Sequence, residues 1–114
     1  MKNIDHYKFG EMIIDDKSFH RDLIILPDKI IQNWRRKEGL RLILADISDI
    51  PLSQIECLII GTGKFGMMKV DENVISEMND KRIECIIEKT GKAVDEYNSI
   101  IQYKIVIVAF HLTC

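Results

Sequence analysis

Apolar residues follow two different rhythms along this chain. In the first third they come as short runs, Glu11-Met12-Ile13-Ile14, Asp22-Leu23-Ile24-Ile25-Leu26 and Ile30-Ile31-Gln32-Asn33-Trp34. The turn formers Asp15-Asp16-Lys17 and Pro27-Asp28-Lys29 separate them. Proline presets the backbone for a turn, and links this short join neighbouring antiparallel strands, so the pattern predicts an N-terminal antiparallel hairpin region. A charged connection, Arg35-Arg36-Lys37-Glu38-Gly39, leads to residues 40–44 and a short turn or helix over 45–49. Pro51 stops any longer helix there.

The second rhythm begins at residue 55. Residues 55–60 are a nearly continuous apolar run, too short for a helix, as expected of a strand covered on both faces; residues 83–88 read as the next strand and 105–110 as a last buried one. Between the first two, Asp71 is placed to cap a helix with Val74, Ile75 and Met78 on one face. Glu72 near its start and Lys81 and Arg82 near its end complement the helix dipole. Thr90 is placed to cap a second helix that turns Ala93, Val94, Tyr97, Ile100 and Ile101 inward. The second half therefore reads β-α-β-α-β, with crossovers between parallel strands. The expectation is one α/β domain over residues 1–114.

Composition narrows the class. A chain of 114 residues supports one core, and 46% apolar with 30% charged residues is ordinary for a globular domain. The net charge of −2 supplies no field that would draw nucleic acid or anionic lipid to the whole molecule. No apolar run reaches membrane-spanning length, and Met1-Lys2-Asn3-Ile4-Asp5-His6 lacks the layout of a signal or transit segment. An odd count of three cysteines, mostly in apolar runs, predicts free thiols in a reducing compartment. The expected location is cytoplasmic, with no membrane association.

Several short pieces in order resemble a known family. They are Tyr7 to Gly10 with the following hairpin, Trp34-Arg35-Arg36 with Glu38-Gly39, and Gly61-Thr62-Gly63. Thr90 with Ala93, Tyr97 and Asn98, and the late strand ending in His111-Leu112, complete the set. The chain resembles, over almost its whole length, a family of small single-domain proteins of unresolved biochemistry. That family includes the adipogenesis-associated domain protein, the mitochondrial complex I assembly factor three and many hypothetical bacterial and archaeal members. The resemblance implies a three-layer α/β fold with a central mixed sheet and the extra N-terminal strands at one side. Relatives often carry His after the glycine that follows the Trp-Arg segment, where this chain has Leu40. The family supplies no catalytic set to carry over.

The chemistry-bearing candidates fall into two groups. Gly61-x-Gly63-x-x-Gly66 matches the dinucleotide fingerprint literally, with Glu88 ending the next strand 27 residues after Gly61. The fingerprint requires a helix to open within the glycines and an acid about 20 residues on. Here Met67-Met68-Lys69-Val70 intervenes, so a turn of special backbone geometry is the better reading and no cofactor is expected. A broader ligand site remains: Gly61, Thr62 and Gly63, with Lys64, share a sheet edge with Thr90 and Gly91. The free N–H groups at that helix start suit a small anionic ligand. The alternative is that Thr90 caps its own helix and the glycines only ease sharp turns.

The second group is the basic cluster Trp34, Arg35 and Arg36, with Lys37 and Arg41 nearby. Tryptophan and arginine anchor many interfaces, so it is a candidate partner-binding patch; otherwise it is a solvated loop whose indole covers the core. Cys57 and Cys85 read as inert buried thiols. His111-x-x-Cys114 has no second pair at a zinc spacing, so no metal is expected. None of the serines lies in a nucleophile elbow. The expected function is a non-enzymatic protein-interaction or assembly module, acting as a monomer or homodimer on an unidentified protein partner. A small-molecule binder or enzyme using the glycine–threonine edge is the alternative.

Overall fold

The computed structural model describes residues 3–114. The first third forms β1 (Ile4–Lys8), β2 (Glu11–Ile14), β3 (Lys17–Phe19), β4 (Leu23–Ile25) and β5 (Ile30–Ile31). Next come β6 (Arg41–Leu42), two 3-10 turns at Leu44–Ile47 and Leu52–Gln54, β7 (Cys57–Thr62) and β8 (Lys69–Val70). Helix α1 (Glu72–Asp80), β9 (Glu84–Glu88), helix α2 (Thr90–Ile100) and β10 (Val106–His111) close the chain.

The central mixed sheet runs β5-β4-β10-β7-β9. β7 is parallel to both β9 and β10, and β4 is antiparallel to β10. Strict alternation within the buried strands builds two cores. Cys57, Ile59, Val106, Val108 and Phe110 face one side, where α2 contributes Ala93, Val94 and Tyr97 and the N-terminal sheet contributes Met12, Ile14 and Phe19. Leu58, Ile60, Ile107 and Ala109 face the other, against Val74 and Met78 of α1 and Trp34, Leu42, Ile47 and Met68. The result is one α/β domain, as the patterning predicts, with the three layers that the resemblance implies. Its radius of gyration of 12.7 Å fits a single compact unit of this length.

Four details differ from the expectation. The run 11–14 does not neighbour the run at 22–26. The two-residue turn at Asp15 and Asp16, with φ of 52° and 65°, returns instead into β3, and β1-β2-β3 form a separate antiparallel sheet. Asn98 of α2 clamps that sheet, accepting from Ile4 N at 2.8 Å and donating to Ile4 O at 3.0 Å. The strand expected over 30–34 ends at Ile31, because Asn33 adopts a left-handed φ of 54°. Ile75 does not join Val74 and Met78 inside; it is 40% exposed. Thr90 does not cap α2: Lys89 holds the cap position, and the Thr90 hydroxyl is engaged elsewhere.

Candidate functional site

The C-terminal edge of the parallel strands gathers the polar chemistry of the molecule, as open α/β sheets commonly do. Thr62 ends β7 and His111 ends β10, and the two residues are partners in register. Asp22 stands one residue before β4, whose Leu23 pairs with Phe110. It is thereby set beside His111, and its Oδ1 accepts from Leu112 N at 2.8 Å. The chain returns past the same point after Asn33, where Trp34 N donates to Asp22 O at 2.9 Å. Trp34 then buries its indole, which donates to Asp46 O at 3.1 Å. The Arg36 guanidinium lies 4.6 Å over the indole ring.

This brings Asp22, Arg36 and His111 into one cluster. Asp22 Oδ2 accepts from Arg36 Nη2 at 2.7 Å and sits 2.8 Å from His111 Nδ1. A carboxylate oxygen at that distance requires the proton on Nδ1. The 3.1 Å approach of Arg36 Nη2 to the same Nδ1 then follows from two donors sharing one acceptor. Arg36 Nε and Nη2 also donate to Gly39 O at 3.2 and 2.7 Å. Burial alone would raise the Asp22 pKa. Hydrogen bonds from His111, Leu112 N and Arg36, with the charge of His111, override it and hold the carboxyl below its ordinary value.

Burial is deep. The Arg36 side chain is 4% exposed, although its main chain faces solvent, and the His111 side chain is 7% exposed. Two nitrogens of the cluster, Arg36 Nη1 and His111 Nε2, are buried and have no hydrogen-bond partner among the described residues. Buried polar atoms are nearly always paired, so each of these exceptions calls for an explanation. The Asp–His pair has the orienting half of a nucleophilic triad, but no hydroxyl or thiol among the described residues meets Nε2.

Beside it lies a second polar knot, this one closed. Thr90 Oγ1 donates to His111 O at 2.6 Å and accepts from Gly63 N at 2.8 Å, while Thr90 N donates to Gly63 O at 3.0 Å. Thr62 Oγ1 donates to Glu88 O at 3.1 Å. Gly63 is required on two counts: its φ is +106°, and a Cβ there would collide with the Cys114 main chain and lie 2.8 Å from His111 Cδ2. Tyr7 seals the other side, its hydroxyl donating to Leu112 O at 2.9 Å. Burial raises the Tyr7 pKa, and the charge of Asp22 raises it further.

The two candidate groups therefore converge on one residue that sequence reasoning did not single out for this role. Arg36 meets His111 from one side, Gly63 faces the edge of its ring, and Thr90 holds its carbonyl. Gly61 packs closely, a Cβ there falling 2.7 Å from the Phe110 ring. Lys64 projects over the Tyr7 ring at 5.9 Å, while Gly91 has open space around its Cα. Arg35 is exposed and shares a hollow of about 270 Å³ with Arg21 and Asn33. Asp22 and His111 were missed as a pair because they lie 89 residues apart. The available signal was an aspartate directly before one buried strand and a histidine directly ending another.

A cavity of about 730 Å³ lies elsewhere, between the N-terminal sheet and the β4–β5 hairpin, lined in part by Ile14, Lys17, Phe19, Ile30 and Tyr97. None of the candidate residues lines it. Burial pushes the Cys57 thiol up to about 12 and the Cys85 thiol to about 11, so neither offers a thiolate. Cys114 is exposed.

Fold and edge chemistry together define a small mixed-sheet α/β domain with a buried Asp–Arg–His cluster at the strand ends. The chain belongs to the family of proteins of unknown function DUF498/DUF598, whose sequence model matches residues 4–111, in agreement with the resemblance drawn from its motifs. No curated protein matches the sequence significantly. Among solved structures, the chain is similar to a conserved hypothetical protein of Pyrococcus horikoshii, with TM-score 0.84, 23% identity, and coverage of 98% of this chain and 99% of that one. It is also similar to a Bartonella henselae protein described as an outer membrane protein, with TM-score 0.83, 27% identity, and coverage of 99% and 96%. A Bordetella pertussis protein described as an Mth938-like domain shares the fold at TM-score 0.70 and 12% identity, over 97% and 85% of the two chains. Among the described residues of this chain, no helix is long and apolar enough to cross a membrane.

Proposed function

We propose that the protein is an interaction or assembly module that docks a protein partner on the C-terminal edge of its sheet. One observation carries this reading: Phe9, Leu40, Phe65 and Met67 are 47–62% exposed on loops that surround that edge. The loops are tied together. Phe9 and Phe65 stand 6.1 Å apart, Gly10 N and Met67 N donate to Leu112 O and Cys114 O, and Lys69 N donates to Leu40 O. Large apolar side chains grouped this way mark interaction sites more often than scattered ones do. Lys64, Lys69 and Lys89 lie around the patch without an ion pair among the described residues, which favours a partner with an acidic rim. Arg36, stacked on Trp34, donates to Gly39 O and so holds the chain just before Leu40.

Native mass spectrometry of the gently isolated protein tests the reading. A stoichiometric partner released by Phe65→Ser with Met67→Ser, in a variant that still folds, is the expected result. A partner retained by that variant would remove the assignment. The alternative ligand site at Gly61, Thr62, Gly63, Lys64, Thr90 and Gly91 has weaker support, because the hydroxyls of Thr62 and Thr90 and the amide groups of Gly63 already meet partners within the chain.

A further inference from the structure

We infer that Arg36 Nη1 and His111 Nε2 form a binding site for a single carboxylate group. The site is built: both side chains are more than nine-tenths buried, and both are held in place by Asp22, with Arg36 further fixed by Gly39 O. The two groups that carry the unpartnered nitrogens approach to 3.1 Å through Arg36 Nη2 and His111 Nδ1, so both nitrogens belong to one locus. Leaving such atoms unsatisfied costs about 1–3 kcal/mol each, and more when charged, which a bound group would relieve.

The number and charge of the free groups select the ligand. Two unpartnered nitrogens match the two oxygens of a carboxylate, whereas a phosphate would bring further oxygens for which the cluster has no donors. Nδ1 already carries the ring proton, so Nε2 donates only when a second proton arrives with the ligand; Arg36 and the ring then carry two positive charges against the one negative charge of Asp22. A monoanion completes neutrality; a dianion overshoots it. Charge-assisted bonds in a buried site are the strong kind, and arginine suits planar carboxylates. The carboxylate comes either from a small organic acid or from an acidic side chain or chain end of a protein. The site itself does not depend on the docking reading, since free acetate tests it without any partner. Because neither nitrogen meets solvent, entry requires covering groups to move, and association is expected to fall below the ordinary rate.

The test is nitrogen-15 NMR of the Arg36 Nη and His111 Nε2 resonances during titration with sodium acetate, and separately with sodium phosphate and sodium chloride at matched ionic strength. The expected result is a saturable shift of both resonances with acetate. The chloride and phosphate titrations should leave only a small, unsaturable drift. Arg36→Lys and His111→Gln should each weaken acetate binding at least tenfold while the amide spectrum stays dispersed. If Arg36→Lys fails to fold, His111→Gln alone carries the comparison. Equal responses to all three salts would overturn the proposal, as would saturation by phosphate alone or resonances that exchange only with water. A short peptide ending in glutamate, set against glutarate, then separates the sources: tighter peptide binding assigns the site to a protein ligand, and tighter glutarate binding to a small acid.

Discussion

Two polar networks share the C-terminal edge of the sheet, and they differ in one respect. In the knot of Thr62, Gly63 and Thr90, the hydroxyls and the Gly63 amide groups meet partners within the chain. In the cluster of Asp22, Arg36 and His111, only a few ångströms away, two buried nitrogens meet none among the described residues. Both networks look equally polar from the sequence. The knot is explained by the fold alone, because it fastens the β7 exit to the end of β10. The cluster holds a buried charge pair and still leaves hydrogen-bonding capacity free, which the fold alone does not require. A glycine–threonine edge can thus attract attention as a pocket when its role is to close one.

Substitutions can break this contrast. The largest loss is expected from Asp22→Asn, which leaves the Arg36 guanidinium buried without its countercharge; about 3–5 kcal/mol should be lost in urea denaturation. The same residue governs acid sensitivity. Its folded pKa lies below the unfolded value near 3.9. Its stabilisation is therefore complete above that value and is lost as pH falls through the lower, folded one. Acid titration of stability should accordingly be shallower in Asp22→Asn than in the native protein.

Gly63→Ala should cost about 3 kcal/mol, from left-handed strain together with the collision at Cys114, read as a lowered denaturation midpoint. Thr90→Val should cost about 2 kcal/mol, since it strands the buried Gly63 N and His111 O together. Phe65→Ser should change stability by no more than about 0.5 kcal/mol, because its ring is 62% exposed, while weakening partner capture. A large stability loss there would mean that the patch packs against the domain instead of waiting for a partner.

The sequence was most informative where apolar residues run together. The buried runs around Leu58 and Ile107 announced β7 and β10, the shorter run around Ile86 announced the half-buried edge strand β9, and the spacing of Val74 and Met78 announced α1. β1 was invisible because Asp5, His6 and Lys8 interrupt any alternation, and β3 because Lys17-Ser18-Phe19 offers one apolar residue. The short β6–β8 pair is made by backbone bonds between loops that carry no strand pattern of their own. Trp34 and Arg36 were legible as unusual residues, and an indole covering the core was one of the two readings; the burial of the Arg36 side chain was not legible, because it depends on the left-handed turn at Asn33. The cluster itself needs the register of β4 on β10, a property of the folded sheet that no local window contains.

The contrast between the two networks is tested most directly by acetate-dependent stability in three proteins: the native chain, Thr62→Val and His111→Gln. A ligand that binds only the folded state raises its stability in proportion to the logarithm of one plus its concentration over Kd. Acetate should stabilise the native protein and Thr62→Val by equal amounts, with Thr62→Val lower throughout, and should leave His111→Gln unmoved beyond the response to matched chloride. Equal acetate responses in all three proteins, or a response lost in Thr62→Val and kept in His111→Gln, would contradict the assignment of the open site to the Asp–Arg–His cluster.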